Sequence, residues 1–143
     1  MRQRNTDGLC MRYESESGTQ VENPTERQLE ELLYELDGVT DSFASLTAPN
    51  GSYIQVGGGP TAFTVELREV GNSGTFRHLK ATLPNGGRTE RHLIIGGERV
   101  SVRENQIIDA ETMLRLFRTF LRSQNADASV EWEDITTMLT RKG

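Results

Sequence analysis

The chain has 143 residues, a net charge of −5, 34% apolar residues and 26% charged residues. That length fits one domain able to bury roughly 70% of the surface its unfolded form exposes, and the apolar share is too high for a disordered chain. A single cysteine, Cys10, excludes an internal disulfide and any multi-thiolate zinc site.

The opening residues carry Arg2 and Arg4 with no apolar stretch behind them, so neither a secretory leader nor a lipid anchor is expected. No later segment approaches transmembrane length. The expectation is a cytoplasmic protein with no membrane partner. Residues 1–22 read as a polar N-terminal segment, with a short strand around Leu9–Tyr13 and Gly18 as a breaker. The domain proper is expected at 23–135, followed by a polar tail, 136–143.

Asn23-Pro24-Thr25-Glu26 starts a helix, with Asn23 as N-cap, Pro24 at the first helical position and Glu26 placed to complete a capping box. Leu29, Leu32, Leu33 and Leu36 follow at helical spacing and form one apolar stripe, which Asp37-Gly38 closes. From Phe43 the pattern becomes strands and turns: Phe43–Ala48, Tyr53–Gly57, Ala62–Val70, Thr75–Leu83, Arg88–Ile95 and Glu98–Arg103. Short Gly-, Asn- and Pro-rich connections imply antiparallel pairing. A second helix runs from an Asp109 N-cap to about Gln124, burying Met113, Leu114, Phe117, Phe120 and Leu121 and leaving Arg115, Arg118 and Arg122 outside. A last strand covers Ser129–Trp132. The expected fold is α+β: an antiparallel meander of five to six strands with two helices packed on one face.

Signs of chemistry are sparse. His78 and His92 flank the Asn85-Gly86 turn. A two-residue turn would pair His78 with Leu93, and a three-residue loop would set the histidines diagonally on one face. In neither register does Cys10 or an acid stand at ligand spacing, so two solvated histidines and no metal are expected. No serine occupies a nucleophile elbow. Gly57-Gly58-Gly59-Pro60 lacks the lysine and the following helix of a phosphate loop, and reads as a bulge or wide turn. Basic residues are scattered and aromatics are 6%, which disfavours direct nucleic-acid binding. Neither catalysis nor a cofactor is expected.

Charge distribution says more. Residues 14–41 hold nine acids against one base, Arg27, a local balance of −8. The first helix exposes Glu26, Glu30, Glu31, Tyr34 and Glu35, with Asp37 just beyond it. Glu26/Glu30 and Glu31/Glu35 are like-charge pairs four residues apart, each unfavourable by a few tenths of a kcal/mol. Such a helix is not arranged for its own stability, which makes these residues candidates for contact with a basic partner, an ordinary solvated acidic face being the other reading. The run Glu131-Trp132-Glu133-Asp134 forms a second acidic cluster around the only tryptophan. Alternation favours a core position for Trp132, with an interface anchor as the other reading.

Several of these segments resemble the immunity-protein family numbered one of bacterial polymorphic toxin systems. The resemblance runs from about Asn23 to Ile135. It rests on the helix ending Leu36-Asp37-Gly38, the stretch Gly51–Pro60, the next strand with Glu66, and the helix 109–124 leading into Val130-Glu131-Trp132-Glu133-Asp134-Ile135. It implies an α+β protein that binds and neutralises a cognate toxin, often a nucleic-acid-targeting deaminase or nuclease, by stoichiometric occlusion. The alternative from another class is an acidic secretion chaperone holding an effector, which would be expected to dimerise and expose apolar grooves.

Overall fold

A computed structural model describes residues 10–140. Residues 1–9 and 141–143 lie outside the described residues, so the strand expected from Leu9 and the far ends of the two polar segments are described only in part. The fold is α+β. Seven antiparallel strands form one sheet in the order β2-β1-β3-β4-β5-β6-β9: β1 Arg12–Ser15, β2 Gln20–Glu22, β3 Phe43–Thr47, β4 Tyr53–Gly58, β5 Phe63–Val70, β6 Phe76–Thr82 and β9 Glu131–Asp134. A separate hairpin pairs β7 (Glu90–Ile95) with β8 (Glu98–Arg103). Three helices complete the described chain: α1 Glu26–Leu33, α2 Ala110–Ser123 and the short α3 Thr136–Thr140.

One sheet face is apolar because the register aligns Tyr13, Leu46, Ile54, Leu67 and Leu79 across five strands. Leu29, Leu33 and Leu36 from α1 and its exit turn cover this row together with Met113, Leu116, Phe117 and Phe120 of α2, and all of them are buried. Burial of this apolar area is the main stabilising term. The other face stays polar, and the β7–β8 hairpin folds across part of it.

Four expectations need correction. The helix α1 is capped two residues later than Asn23: the Thr25 hydroxyl accepts from Gln28 N, and the Gln28 side chain accepts from Thr25 N. Asn23 instead adopts φ 52° and pairs with Met11 through both its backbone N and its side-chain Oδ1, a left-handed conformation that asparagine tolerates. The helix also ends earlier, at Leu33, while Leu36 stays buried from the turn that follows.

Residues 12–22, set apart in the sequence as a polar segment, are two strands of the sheet, with Tyr13 buried opposite Leu46. They gave little signal because β1 and β2 are short and place a single fully buried apolar side chain. The polar tail expected at 136–143 opens with the short helix α3. Finally, β7 does not pair with β6, so neither histidine register applies. Leu83 N donates to the Asn105 carbonyl and Asn105 N to the Gly87 carbonyl, which turns the hairpin away. The edge of β6 pairs with β9 instead, Ala81 opposite Trp132.

The glycines at the end of β4 are explained by close approach from two sides. A side chain at Gly57 would stand 2.6 Å from Ile95 of the hairpin, and one at Gly59 would stand 2.8 Å from the Leu36 carbonyl oxygen. Gly38, at φ 78°, packs its Cα side against the Gly59 carbonyl. Only residues without Cβ let the α1 exit, the sheet and the hairpin meet here. Gly96 and Gly97, with φ of 61° and 81°, form the two-residue hairpin turn between Ile95 and Glu98. Among the described residues no helix is long and apolar enough to cross a membrane.

Candidate functional site

The acidic face of α1 divides in two. Glu26 is bound by Arg122 (Nη2 to Oε1, 2.9 Å), and Glu30 is bound by Arg118 at 3.0 Å. Both arginines lie on α2, so the charge of this half of the acidic face is paired within the fold. The hydrogen bond and charge of Arg122 hold the Glu26 carboxyl below the usual range. Spacing explains the arrangement: carboxylates four apart on one helix meet guanidiniums four apart on the other. Asp37 is likewise committed, accepting from the backbone N of Val39, Thr40 and Asp41 and from the Thr40 hydroxyl. Those hydrogen bonds, the Thr40 hydroxyl foremost, depress its carboxyl well below the usual range.

The remaining half is open. Among the described residues Glu31 touches only the exposed Arg27, at 3.5 Å, and Tyr34 is 67% exposed beside the exposed Glu35. The chain then passes Val39, 79% exposed, and reaches Phe43, 42% exposed, which meets the hairpin turn at Gly96. Ser42, buried between these last two, locks the junction: its hydroxyl accepts from Gly96 N at 2.7 Å and donates to Glu16 at 2.6 Å.

The C-terminal cluster is dispersed rather than assembled. Trp132 lies on the covered face opposite Ala81, packs against the core, and donates its indole N–H to the Asp127 carbonyl at 2.8 Å. Glu133 lies on the open face, bound to Arg103 at 2.6 Å and within 3.4 Å of Gln106. Asp134 accepts from the backbone and hydroxyl of Thr136 at the start of α3. Glu131 remains exposed at the sheet edge.

Sequence reasoning missed the polar centre of the open face. The register aligns Glu14, Ser45, Gln55, Glu66, Lys80 and Glu133 in one row across six strands. Glu66 is its hub: Oε1 accepts from His78 Nε2 at 2.6 Å and from Gln55 at 3.2 Å, and Oε2 lies 3.7 Å from the Lys80 ammonium. Burial pushes the Glu66 carboxyl upward, yet the His78 hydrogen bond, the Lys80 charge and Gln55 together bring it below its usual range. Arg68 Nε donates to His78 Nδ1 at 3.1 Å. Because a guanidinium only donates, Nδ1 is the acceptor and the proton sits on Nε2, facing Glu66.

Arg68 itself stacks on Phe76, 4.1 Å from the ring centroid. His78 is thus not the solvated histidine expected: it is 2% exposed, whereas His92 is exposed. Its cover includes α3, whose Thr136 hydroxyl accepts from His78 N across 58 residues of sequence, a separation that strand alternation cannot anticipate. Among the described residues no group of three His, Cys, Asp or Glu side chains could hold a metal ion.

Between this row and the hairpin runs a cleft of about 490 Å³. Phe43, Ile95 and Val100 form its apolar walls, and Gln55, Thr64 and Glu66 lie along its floor. Thr64 is 7% exposed and its buried hydroxyl has no partner among the described residues. Compared with known proteins, the chain matches no family model, and no curated protein matches it significantly.

Proposed function

We propose that this chain is an immunity protein that binds a cognate bacterial toxin domain and silences it one to one, by occlusion and without turnover. The observation that carries this reading is the stretch from Tyr34 to Phe43, where three large apolar side chains stand exposed beside Glu31 and Glu35. Large side chains exposed together mark interfaces, and a carboxylate rim favours a basic partner. A toxin that modifies or cuts nucleic acid needs a basic surface for its polyanionic substrate, so the two surfaces are complementary. The resemblance of Gly51–Pro60 and Val130–Ile135 to the immunity family supports the same conclusion.

The partner in this reading is a protein, met in the cytoplasm where the toxin acts, and the chain itself contacts neither nucleic acid nor membrane. In this reading the His78–Glu66 pair is structural: His78 is buried, and its two ring nitrogens are held within the fold by Arg68 and Glu66. Packing favours immunity over the secretion-chaperone reading, because the apolar stripes of α1 and α2 are consumed by the chain's own sheet.

Co-expression tests the proposal. Cells making the toxin domain encoded beside this protein should survive when it is present, and the two proteins should elute from gel filtration as one complex. Death at an unchanged rate, with separate elution, would overturn it.

A further inference from the structure

We propose that the cleft between the hairpin and the open sheet face receives a single arginine side chain from the protein partner, an inference that rests on the immunity reading above. The cleft is rich in acceptors that the chain leaves unused. The Gln55 amide nitrogen donates to Glu66, which fixes the amide and leaves its oxygen without a donor. Glu66 Oε2 has only Lys80, at 3.7 Å, beyond hydrogen-bond length. The Thr64 hydroxyl is buried and unpartnered. The Glu14 carboxylate at the cleft edge receives one long contact, from Gln20 at 3.4 Å. Against these stands one cation, Lys80, already turned to Glu66.

The occupant follows from that inventory. An anion would face two carboxylates, Glu14 and Glu66, with the nearest ammonium already engaged. An apolar side chain would cover the Gln55 oxygen with no donor and leave the Thr64 hydroxyl as unpartnered as before, which is costly. A guanidinium supplies five planar N–H donors for scattered acceptors, while its flat faces stack on an aromatic ring and lie against aliphatic walls. Phe43, half-exposed, with Ile95 and Val100, provides those walls. A lysine would bring three donors on a compact, strongly hydrated charge and no stacking face. Phe43, which lines the cleft, is also the last residue of the exposed Tyr34–Phe43 stretch.

Two measurements on the full chain test this. In the first, amide NMR follows titration with N-acetyl-arginine methylamide up to about 50 mM, well above the weak affinity a single side chain can supply. Shifts should concentrate at Ser45, Gln55, Gly57, Thr64 and Ile95, be weaker with the lysine analogue and absent with the aspartate analogue. No response at these residues, or an equal response to the aspartate analogue, would overturn the proposal. In the second, Glu14→Gln combined with Thr64→Val should weaken toxin binding about tenfold or more, with an unchanged melting temperature. Unchanged toxin affinity would overturn the arginine cleft while leaving the immunity reading intact, and would reassign any NMR response to a free guanidinium ligand. If no toxin complex forms, the immunity reading fails, and the NMR titration still decides whether the cleft takes a guanidinium.

Discussion

The two sides of α1 carry the same residue type to opposite ends. Glu26 and Glu30 turn toward α2 and close an antiparallel ladder with Arg122 and Arg118. Glu31, Tyr34 and Glu35 turn away and are left to solvent, save for the exposed Arg27. Glu26 and Glu30, four residues apart on the helix, oppose its formation and find their compensation in α2. Glu35 lies past the helix end at Leu33, which relieves Glu31 of that helical penalty. Charge counted along the chain therefore overstates charge on the surface. Of the nine acids between residues 14 and 41, Glu16 and Asp41 are also committed internally, to Ser42 and Ser17. What remains outward near Tyr34 is the part with a role still to fill.

The strongest test of this inward–outward division lies in the other acidic cluster, at Trp132. The indole packs on the core, so Trp132→Ala should cost about 3 kcal/mol in chemical denaturation. A variant that unfolds at the wild-type midpoint yet loses its toxin would move this residue to the outward class. Next in size is the outward side of α1. Reversing Glu31 and Glu35 to lysine should slow association with the toxin about tenfold at low ionic strength, leaving the melting temperature alone. An association rate indifferent to both salt and these substitutions would leave that side an ordinary solvated face.

The inward side should respond in the opposite sense. Glu30→Gln should lower stability by at most about 1 kcal/mol, since the pair with Arg118 is only partly buried, and should leave the association rate unchanged. A slowed association in that variant would erase the distinction between the two sides. The smallest effect concerns Glu66, whose carboxyl is depressed in the fold relative to the unfolded chain. Its contribution is present above the usual glutamate range and is lost as the pH falls through and below it. Melting curves should therefore show the stability gap between wild type and Glu66→Gln narrowing on acidification, and a gap that widens would contradict the network.

Periodicity made the helix stripes legible: Leu29, Leu33 and Leu36, and Met113, Phe117 and Phe120, are buried as their spacing requires. Turn residues placed β3 to β8 within two residues of their observed ends, because glycine and asparagine mark turns locally. Pairings set by distant segments were not legible. The edge taken by β9, the departure of the β7–β8 hairpin and the sheet position of β1 all depend on packing that no local pattern encodes. The candidate surface was half legible for the same reason. Exposure of Glu31 follows from helical geometry and that of Tyr34 and Glu35 from the turn that ends α1, but the capture of Glu26 and Glu30 by α2 joins residues 96 and 88 positions apart. A trace of it was present, since like charges at four-residue spacing occur with opposite sign on both helices. His78 had no such trace, as its cover comes from α3 and from neighbouring strands.

The central claim is occlusion without turnover, and the most direct measurement is a titration of toxin activity. Purified toxin domain at fixed concentration is assayed on its nucleic-acid substrate as this protein is added in small increments. Activity should fall along a straight line and reach its floor at one equivalent. Full silencing at a small fraction of an equivalent would mean catalytic inactivation, and undiminished activity in excess inhibitor would mean that this toxin is not bound; either result contradicts the account.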